Sequence, residues 1–303
     1  MENLTDFQQK ISALLPDMAF RFNEPMAKHT SFRIGGPVEV MAFPKTAEEL
    51  SELLDAAEKM QHKPSILGAG TNVLAPDQGL TGLCICLKDC LDGMQLLDGN
   101  RVRIMAGVTM TRAAVFAANN GLSGMEFAHG IPGTVGGGVY MNAGAYGGEI
   151  RDICESVDVM DMQGNLRTLN NEQMHFSYRH SLLEDEGGIV VSAVFRLEPK
   201  DPDEIKGKMK ELQAKRSASQ PLDLPSAGSA FKRPVGGYAA ALIDQAELKG
   251  FTVGGAAISA KHAGFAVNVG SATADDVKNL LQQVSDIVFE NSGIRLEPEV
   301  RIW

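Results

Sequence analysis

Apolar residues recur along the chain with two periods, which predict an alternation of helices and strands. A spacing of three or four residues predicts helices, and alternation with polar residues predicts half-buried strands. The predicted helices are 6–15, 47–60, 109–119, 203–215, 238–248 and 273–292. The predicted strands are 29–37 (with a turn), 38–43, 64–67, 82–87, 101–105, 154–160, 166–169, 189–197, 256–258, 265–269 and 296–303. The mixture predicts an α+β fold, in which strands 154–160, 166–169 and 189–197 form an antiparallel set.

Capping residues sharpen several of these boundaries. Thr46 and Glu49 have the spacing of a capping box, in which the hydroxyl and the carboxylate each accept a backbone N–H at the helix start. Thr273 precedes the last helix and Gly293 follows it, as expected for an N-cap and a left-handed C-terminal residue. The composition changes around 199–202 (within EPKDP, 198–202), which is the best candidate for a domain boundary.

The run 121–150 contains ten glycines among thirty residues, and apolar residues separate them. This composition indicates a packed loop. Packed glycine loops present backbone N–H groups that suit an anion such as a pyrophosphate. A buried crossing of the chain, where glycine merely fits, is the alternative.

A second glycine turn, LGAGTNVL at 67–74, follows the strand predicted at 64–67. The dinucleotide-binding fingerprint G-x-G-x-x-G would need glycine at position 73, where Val73 stands. Neither glycine loop has the G-K-[ST] sequence of a P-loop. The sequence therefore predicts that phosphates bind between two loops.

Charge and cysteine usage exclude several classes of protein. The 303 residues carry a net charge of −10, which argues against a general nucleic-acid binder. No apolar run has membrane-spanning length, and the first residues (MENLTDFQQK) lack the basic and apolar regions of a signal peptide, so the expected location is the cytoplasm. Cys84, Cys86, Cys90 and Cys154 form no C-x-x-C, and the histidines form no H-E-x-x-H, so no metal site is predicted.

Three short segments carry candidate catalytic groups. Tyr178-Arg179 could clamp a carboxylate, although an arginine stacked on a tyrosine at the surface is the simpler interpretation. Ser229 lies in a proline-flanked loop and could donate a proton. Its S-x-x-K spacing matches an acyl-enzyme motif whose S-D-N and K-T-G partners are missing. Glu297, Glu299 and Arg301 share one face of the last strand, as a site or as a solvated edge.

Seven segments together resemble one enzyme family. In chain order they are HTSFRIGGP, LGAGTNVL, GIPGTVGGGVYMNAGAYGGEI, YRHS, GSAFKRP, KHAGFAVN and LEPEVRI. This series resembles the UDP-N-acetylenolpyruvoylglucosamine reductases of peptidoglycan synthesis, in their shorter type without an inserted subdomain. The similarity extends from about His29 to the C-terminus.

The resemblance implies an FAD-binding domain of the vanillyl-alcohol-oxidase type, in two subdomains, followed by a smaller α+β substrate-binding domain. The corresponding ranges are 1–24 for a lead-in helix, 25–199 for the FAD domain (about 25–90 and 91–199), and 200–303. The two glycine loops would hold FAD without a covalent link, because 68–74 contains no histidine. The implied cofactor-binding residues are Leu67, Gly68, Ala69, Gly70, Thr71, Asn72, Gly130, Ile131, Pro132, Gly133, Thr134, Gly136, Gly137, Ala143, Gly144, Ala145 and Arg301.

The implied reaction transfers a hydride from NADPH, by way of FAD, to the enolpyruvyl group of a UDP-sugar, giving UDP-N-acetylmuramate. By this resemblance Arg179 and Glu299 stabilise the developing enolate, and Ser229 donates the proton. We expect a raised pKa at Glu299. The implied substrate-side residues are Tyr178, Arg216, Gln220 and Lys232, and Lys232 could assist Ser229.

Two positions are left open by the resemblance. Relatives commonly have asparagine where this chain has Arg233, and His262 suits a structural role as well as a functional one.

Two alternatives to the reductase function are a flavin-dependent sugar or lactone oxidase and a flavin- or nucleotide-binding protein without catalysis. We expect a monomer that acts on small molecules.

Overall fold

The computed structural model describes residues 4–303, so residues 1–3 of the predicted lead-in lie outside the described residues. The chain forms two compact units. The first contains the residues up to Phe22, Val40–Ala69 and Gly82–Lys215; the second contains Asn23–Glu39, Gly70–Thr81 and Arg216–Trp303. Each unit is therefore built from three separate stretches of chain.

Helices and strands alternate along the whole described chain. The helices are α1 (Asp6–Leu14), α2 (Ala47–Lys59), α3 (Met110–Asn119), α4 (Val135–Tyr140), α5 (Ile150–Ile153), α6 (Leu182–Glu186), α7 (Pro202–Ser219), α8 (Ala239–Gln245) and α9 (Ala274–Ser292). The strands are β1 (Phe20–Pro25), β2 (Pro37–Ala42), β3 (Ser65–Leu67), β4 (Val73–Leu74), β5 (Leu80–Cys86), β6 (Met94–Leu97), β7 (Arg101–Met105), β8 (Leu122–Ser123), β9 (Gly144–Ala145), β10 (Gly148–Glu149), β11 (Cys154–Met160), β12 (Leu166–Asn170), β13 (Ile189–Arg196), β14 (Glu198–Pro199), β15 (Ser226–Ser229), β16 (Thr252–Val253), β17 (Ala256–Ile258), β18 (Phe265–Asn268) and β19 (Arg301–Ile302).

The first unit is organised around a five-stranded sheet with the order β12-β11-β13-β7-β6. All four pairs of neighbours are antiparallel, which confirms the antiparallel set predicted from alternation. A sheet with the order β1-β2-β5-β3 contains one parallel pair, β3 with β5. Thr46 caps α2 as predicted, and Thr109 caps α3. Glu49, however, accepts the N–H of Lys45 at 2.6 Å, one residue before the expected partner.

The second unit has its own antiparallel sheet, β15-β18-β17-β16, and its own core. Val277, Leu280 and Val284 of α9 are fully buried in that core, as the helical period predicted. The core also contains Phe32 and Leu74, which come from the two earlier stretches of chain.

The N-terminus of α9 is capped twice. Thr273 accepts the N–H of Asp276 at 3.0 Å, as predicted. Asp77 adds a second cap, because its carboxylate accepts the N–H of Ala274 at 2.8 Å from 197 residues earlier in the sequence. The carboxylate also complements the positive end of the helix dipole.

Two predicted strands are corrected. Residues 29–37 form a turn until β2 begins, because Thr30 Oγ1 bonds to Ile34 and Arg33 adopts a positive φ of 56°. The strand predicted at 296–303 is reduced to β19, because Pro298 has no N–H to donate to a ladder. Strands β1, β6 and β15, and several strands of two residues, were not predicted.

The compact units divide the chain differently from the predicted boundary at 199–202. Residues 202–215 of α7 belong to the first unit, because Ile205 and Met209 are buried in its core. The second unit begins again only at Arg216. The domain ranges of the sequence analysis stay a prediction.

Candidate active site

The first glycine loop, residues 68–72, is shaped by the turn at 29–31. Gly70 has a positive φ of 61°, and a Cβ at this position would lie 2.0 Å from the carbonyl oxygen of His29. Ser31 donates its N–H to the Gly70 carbonyl at 3.0 Å and its hydroxyl at 3.3 Å. His29 Nε2 lies 3.0 Å from Oε1 of the buried Glu24. Only glycine fits at position 70, and polar contacts fix its carbonyl.

The backbone N–H groups of this loop are available to a ligand. Those of Gly68, Ala69 and Gly70 donate to no acceptor within residues 4–303. A Cβ on Gly68 would lie 2.7 Å from Thr134 Oγ1, so the first loop meets the second glycine run within the first unit. Successive unpaired N–H groups that side chains cannot crowd form an anion cradle.

The second glycine run uses most of its backbone differently. Thr134 caps α4 by accepting the N–H of Gly137 at 3.3 Å. Val135 and Gly136 donate their N–H groups to the carbonyls of Val108 and Ala106, at 2.8 and 2.9 Å. A Cβ on Gly136 would lie 2.8 Å from Ala106 Cβ. Here glycine brings a short helix close to another segment, which is the alternative that the sequence left open for this run.

Amides directly before α4 still face no acceptor within the described residues. They belong to Gly133 and Thr134. Gly136 and Gly137 already donate their N–H groups to acceptors within the protein. Their predicted contacts with the cofactor therefore cannot use these N–H groups. Those contacts stay a prediction that rests on close approach of the backbone.

Arg179 lies in a turn packed on the hairpin of β9 and β10. Its φ is 56°, in the left-handed region, and Nη1 donates to the Gly144 carbonyl at 3.5 Å. The guanidinium carbon lies 5.4 Å from the ring centre of Tyr178, whose side chain is exposed. The arginine is thus stacked on its neighbour, as expected for an arginine and a tyrosine paired at the surface. It is also held by the second glycine run, through the Gly144 carbonyl.

Ser229 and Glu299 lie on adjacent segments of the second unit. Ser229 ends β15 opposite Phe265, after Gly228 with its positive φ of 77°. The next residue, Ala230, accepts the N–H of Glu299 at 2.9 Å. Two residues that are seventy positions apart in the sequence are therefore neighbours across one backbone hydrogen bond.

The same segment joins the first glycine loop. Asn72 Nδ2 donates to the Glu299 carbonyl at 3.2 Å, and Arg301 donates its N–H to the Asn72 carbonyl at 3.1 Å. β19 then pairs in parallel with β4. Four predicted site residues, Asn72, Ser229, Glu299 and Arg301, are thus brought together.

The remaining predicted residues have identifiable neighbours. Lys232 Nζ forms an ion pair with Glu297 Oε1. The buried Arg216 donates to Gln220 Oε1 at 3.3 Å. Arg233 lies 4.4 Å over the ring of Tyr238. None of these contacts tests a role in substrate binding.

His262 is held as a neutral acceptor. Its Nδ1 accepts the N–H of Gly264 at 3.1 Å, and its ring packs edge-on against Phe265. Burial lowers the pKa of His262, because the charged form loses hydration.

The cysteines are free thiols with raised pKa values. Burial raises the pKa of Cys90 to about 11 and that of Cys154 to about 12. Within residues 4–303, no group of three or more His, Cys, Asp or Glu is placed to hold a metal ion. No helix in this part of the chain combines the length and apolar character needed to cross a membrane.

Three residues that support the site were not predicted. Glu24 and Ser31 contact the segments around Gly70, and Asn142 is fully buried inside the second glycine run. The available signal for Asn142 was a single amide side chain between apolar residues and glycines. Glu24 and Ser31 gave no such signal.

Comparisons with known proteins agree with this arrangement. Residues 38–170 match the family model of an FAD binding domain, and residues 220–303 match that of the UDP-N-acetylenolpyruvoylglucosamine reductase C-terminal domain. The UDP-N-acetylenolpyruvoylglucosamine reductase of Caldanaerobacter subterraneus subsp. tengcongensis is 44% identical, over 97% of this chain and 96% of that protein. That of Lactococcus lactis subsp. cremoris (strain MG1363) is 45% identical over 95% and 96%.

Solved structures show the same fold. The crystal structure of the reductase from Thermus caldophilus covers 94% of this chain and 98% of that chain, with a TM-score of 0.79 and 35% identity. An alkyldihydroxyacetonephosphate synthase shares the fold alone, with a TM-score of 0.50 and 17% identity.

The fold and its glycine loops define an FAD-binding oxidoreductase of the vanillyl-alcohol-oxidase type, with mixed α+β architecture. The open amides of 68–70, beside positions where a Cβ would collide, fit a diphosphate of the kind FAD carries. The chain belongs to the UDP-N-acetylenolpyruvoylglucosamine reductase family.

Proposed function

We propose that the chain reduces the enolpyruvyl ether of UDP-N-acetylglucosamine to UDP-N-acetylmuramate with NADPH, as a step of peptidoglycan synthesis. The observation that supports this most is the hydrogen bond from the Glu299 N–H to the Ala230 carbonyl, which places Glu299 on the segment adjacent to that of Ser229. A proton donor and a carboxyl group on adjacent segments suit protonation of the carboxylate-bearing carbon. Cell-wall formation, and with it cell shape and division, would depend on this product.

FAD, when bound, supplies the relay of a hydride from NADPH to the substrate. We propose that the amides of Gly68, Ala69 and Gly70, with those of Gly133 and Thr134, hold its diphosphate. Thr71, Asn72, the residues before α4, the hairpin residues Ala143, Gly144 and Ala145, and Arg301 complete this proposed site. The absence of histidine from 68–74 supports binding without a covalent link.

Arg179 and Glu299 act on the charge that develops during reduction. An enol ether accepts a hydride poorly, because negative charge builds on its carboxylate as an enolate forms. A guanidinium fixed in place stabilises this charge without reorganising at the moment of reaction. Glu299 assists by carrying a proton or by orienting the arginine or a water molecule, which is why we expect its pKa to be raised.

Ser229 completes the reaction by donating its hydroxyl proton to the second carbon of the former double bond. One hydride and one proton together reduce that bond. Lys232 is the nearest basic residue in sequence, and it holds Glu297 in an ion pair. Tyr178, Arg216 and Gln220 are proposed to bind the substrate.

An anaerobic visible spectrum tests the proposal in two steps. The FAD-loaded protein should lose its yellow colour with NADPH and regain it only when the enolpyruvyl UDP-sugar is added. Colour that bleaches and does not return with this substrate would move the function to an oxidase or to another acceptor. A protein that cannot be loaded with FAD would overturn the assignment of the glycine loops.

The variant Ser229→Ala separates the two steps. It should retain flavin reduction by NADPH and lose about 10²- to 10⁴-fold in the rate of product formation. An unchanged rate of product formation would remove Ser229 from the mechanism. We also propose that the protein acts as a monomer in the cytoplasm, which gel filtration and cell fractionation can check.

A further inference from the structure

Asn142 is a polar residue in a fully buried position. Its exposure is 0%, and it lies two residues after the end of α4 in the second glycine run. Its φ is 45°, in the left-handed region that asparagine tolerates better than most residues. A buried amide side chain stabilises a fold only when its polar atoms are hydrogen-bonded.

The side chain of Asn142 makes three hydrogen bonds. Oδ1 accepts the N–H of Arg151 at 2.9 Å. Nδ2 donates one hydrogen to Glu149 Oε2 at 3.1 Å and the other to the carbonyl of Ser177 at 3.0 Å. Both donor hydrogens of the amide are therefore used, and they point to two different parts of the chain.

Those two parts are the β9–β10 hairpin and the turn that carries Arg179. Glu149 ends β10, at the base of the hairpin. Ser177 begins the turn, which is closed by its reciprocal hydrogen bonds with His180 at 3.1 and 3.2 Å. Arg179 reaches back to the same hairpin at Gly144. Asn142 and Arg179 thus join the hairpin and the turn at two points.

The conformation of Arg179 needs such support. A left-handed arginine is strained by about 1–2 kcal/mol, and such residues persist only where the surroundings fix them. Ser181, also fully buried, fixes the end of the turn by donating to the Tyr140 carbonyl at 2.6 Å. Asn142 fixes its beginning.

We propose that Asn142 is a positioning residue, which holds the Ser177–His180 turn so that the guanidinium of Arg179 stays where the enolate forms. The inference rests on the proposed function through the role of Arg179. It concerns a residue that is fully buried and acts through its hydrogen bonds.

The first test uses Asn142→Gly, because glycine accepts a positive φ and the change removes only the side-chain bonds. Asn171→Gly is the matched control. Asn171 Nδ2 donates to the carbonyls of Arg151 and Cys154, at 2.8 and 2.7 Å, and does not contact the turn. Amide hydrogen exchange at Ser177 and His180 should accelerate at least about tenfold in Asn142→Gly and stay unchanged in Asn171→Gly.

The second test follows the two half-reactions. In Asn142→Gly, reoxidation of the reduced flavin by the enolpyruvyl UDP-sugar should slow about 10- to 100-fold, with flavin reduction by NADPH little changed. In an Arg179→Ala background, the same substitution should have no further effect on reoxidation, because the residue acts through the arginine.

The outcomes separate the inference from the proposed function. Unchanged exchange at Ser177 and His180, or a full further loss in the Arg179→Ala background, overturns the positioning role. If Arg179→Ala itself reoxidises at the normal rate, the proposed role of Arg179 fails, and the exchange data still decide whether Asn142 holds the turn. Asn142→Asp, which keeps the bond from Arg151, replaces the glycine variant if that variant does not fold. Failure of both to fold would make Asn142 purely structural and overturn the proposal.

Discussion

The two glycine-rich segments have similar compositions and opposite uses of their backbone. In the loop at 68–72, glycine leaves three successive N–H groups open, and contacts from residues 29–31 fix the loop from outside. In the run at 121–150, Val135 and Gly136 at the start of α4 donate their N–H groups to Val108 and Ala106, the amides just before α4 stay open within the described residues, and glycine permits close packing. A count of glycines therefore does not identify an anion site. The partners of the amides do.

The largest effect should follow from Gly70→Ala. A side chain there meets the His29 carbonyl at 2.0 Å and requires a left-handed alanine, so the loop must move. We expect FAD affinity to fall about 10- to 100-fold, the value of a lost hydrogen bond to a charged group, and the unfolding free energy to fall by about 3–5 kcal/mol. Fluorescence titration of the apoprotein with FAD and denaturant unfolding measure these quantities.

Gly147→Ala is the control for this prediction. Gly147 also has a positive φ, of 88°, but a Cβ there meets no atom within 4 Å. Its cost should be limited to about 1–2 kcal/mol of strain. Equal losses in the two variants would contradict the importance of the His29 contact.

A smaller effect should distinguish neighbouring glycines of α4. Gly136→Ala places a Cβ 2.8 Å from Ala106 Cβ in a buried position, and should destabilise the protein by about 1–3 kcal/mol through overpacking. At Gly137 a Cβ meets only Thr134 Oγ1, at 3.5 Å. Gly137→Ala should therefore stabilise by up to about 1 kcal/mol, through helix propensity. Thermal unfolding of both variants measures these changes. A loss of stability in Gly136→Ala alone would show that glycine serves close packing in this run.

Substitution of Thr134, the cap of α4, should test the contact between the loop at 68–72 and the run at 121–150. Thr134→Ala removes a helix cap, at about 1 kcal/mol, and also changes the residue against which Gly68 packs. Thr46→Ala removes an equivalent cap from α2. Both variants should lose similar stability, and only Thr134→Ala should weaken FAD binding. Equal FAD affinity in the two variants would separate Thr134 from the cofactor site.

The smallest effect concerns pH and the second unit. Because the pKa of His262 is lowered in the folded state, the unfolded chain binds a proton first as the pH falls. Stability should decline with decreasing pH below about 6.5, the unfolded value, until the folded pKa is passed. The slope of the unfolding free energy against pH should correspond to the uptake of less than one proton, and His262→Asn should remove this contribution. Urea unfolding between pH 5 and 8 would show no difference between the two proteins if the histidine were not coupled to folding.

Local signals predicted much of this architecture, and non-local contacts account for what was missed. The caps at Thr46, Thr109 and Thr273 act on residues three positions away, so a short window of the sequence contains both partners of each hydrogen bond. Arg179, Ser229 and Glu299 were candidates from their own segments, their roles came from a resemblance, and the structure showed that the segments of the last two are adjacent. The partners of Asn142 lie up to 35 residues away. Periodicity cannot predict such pairs, because the topology decides which segments meet.

The cap that Asp77 places on α9 bears on how the protein is made. The second compact unit draws on residues 23–39 and 70–81 as well as on 216–303. During synthesis the first two stretches leave the ribosome well before α9. Phe32 and Leu74 therefore lack their core partners at the stage when the first unit can already fold. Contacts across such separations slow folding. The stretch matched by the C-terminal family model, produced alone, would lack both the Asp77 cap and part of its core, and should need the N-terminal stretches supplied in trans.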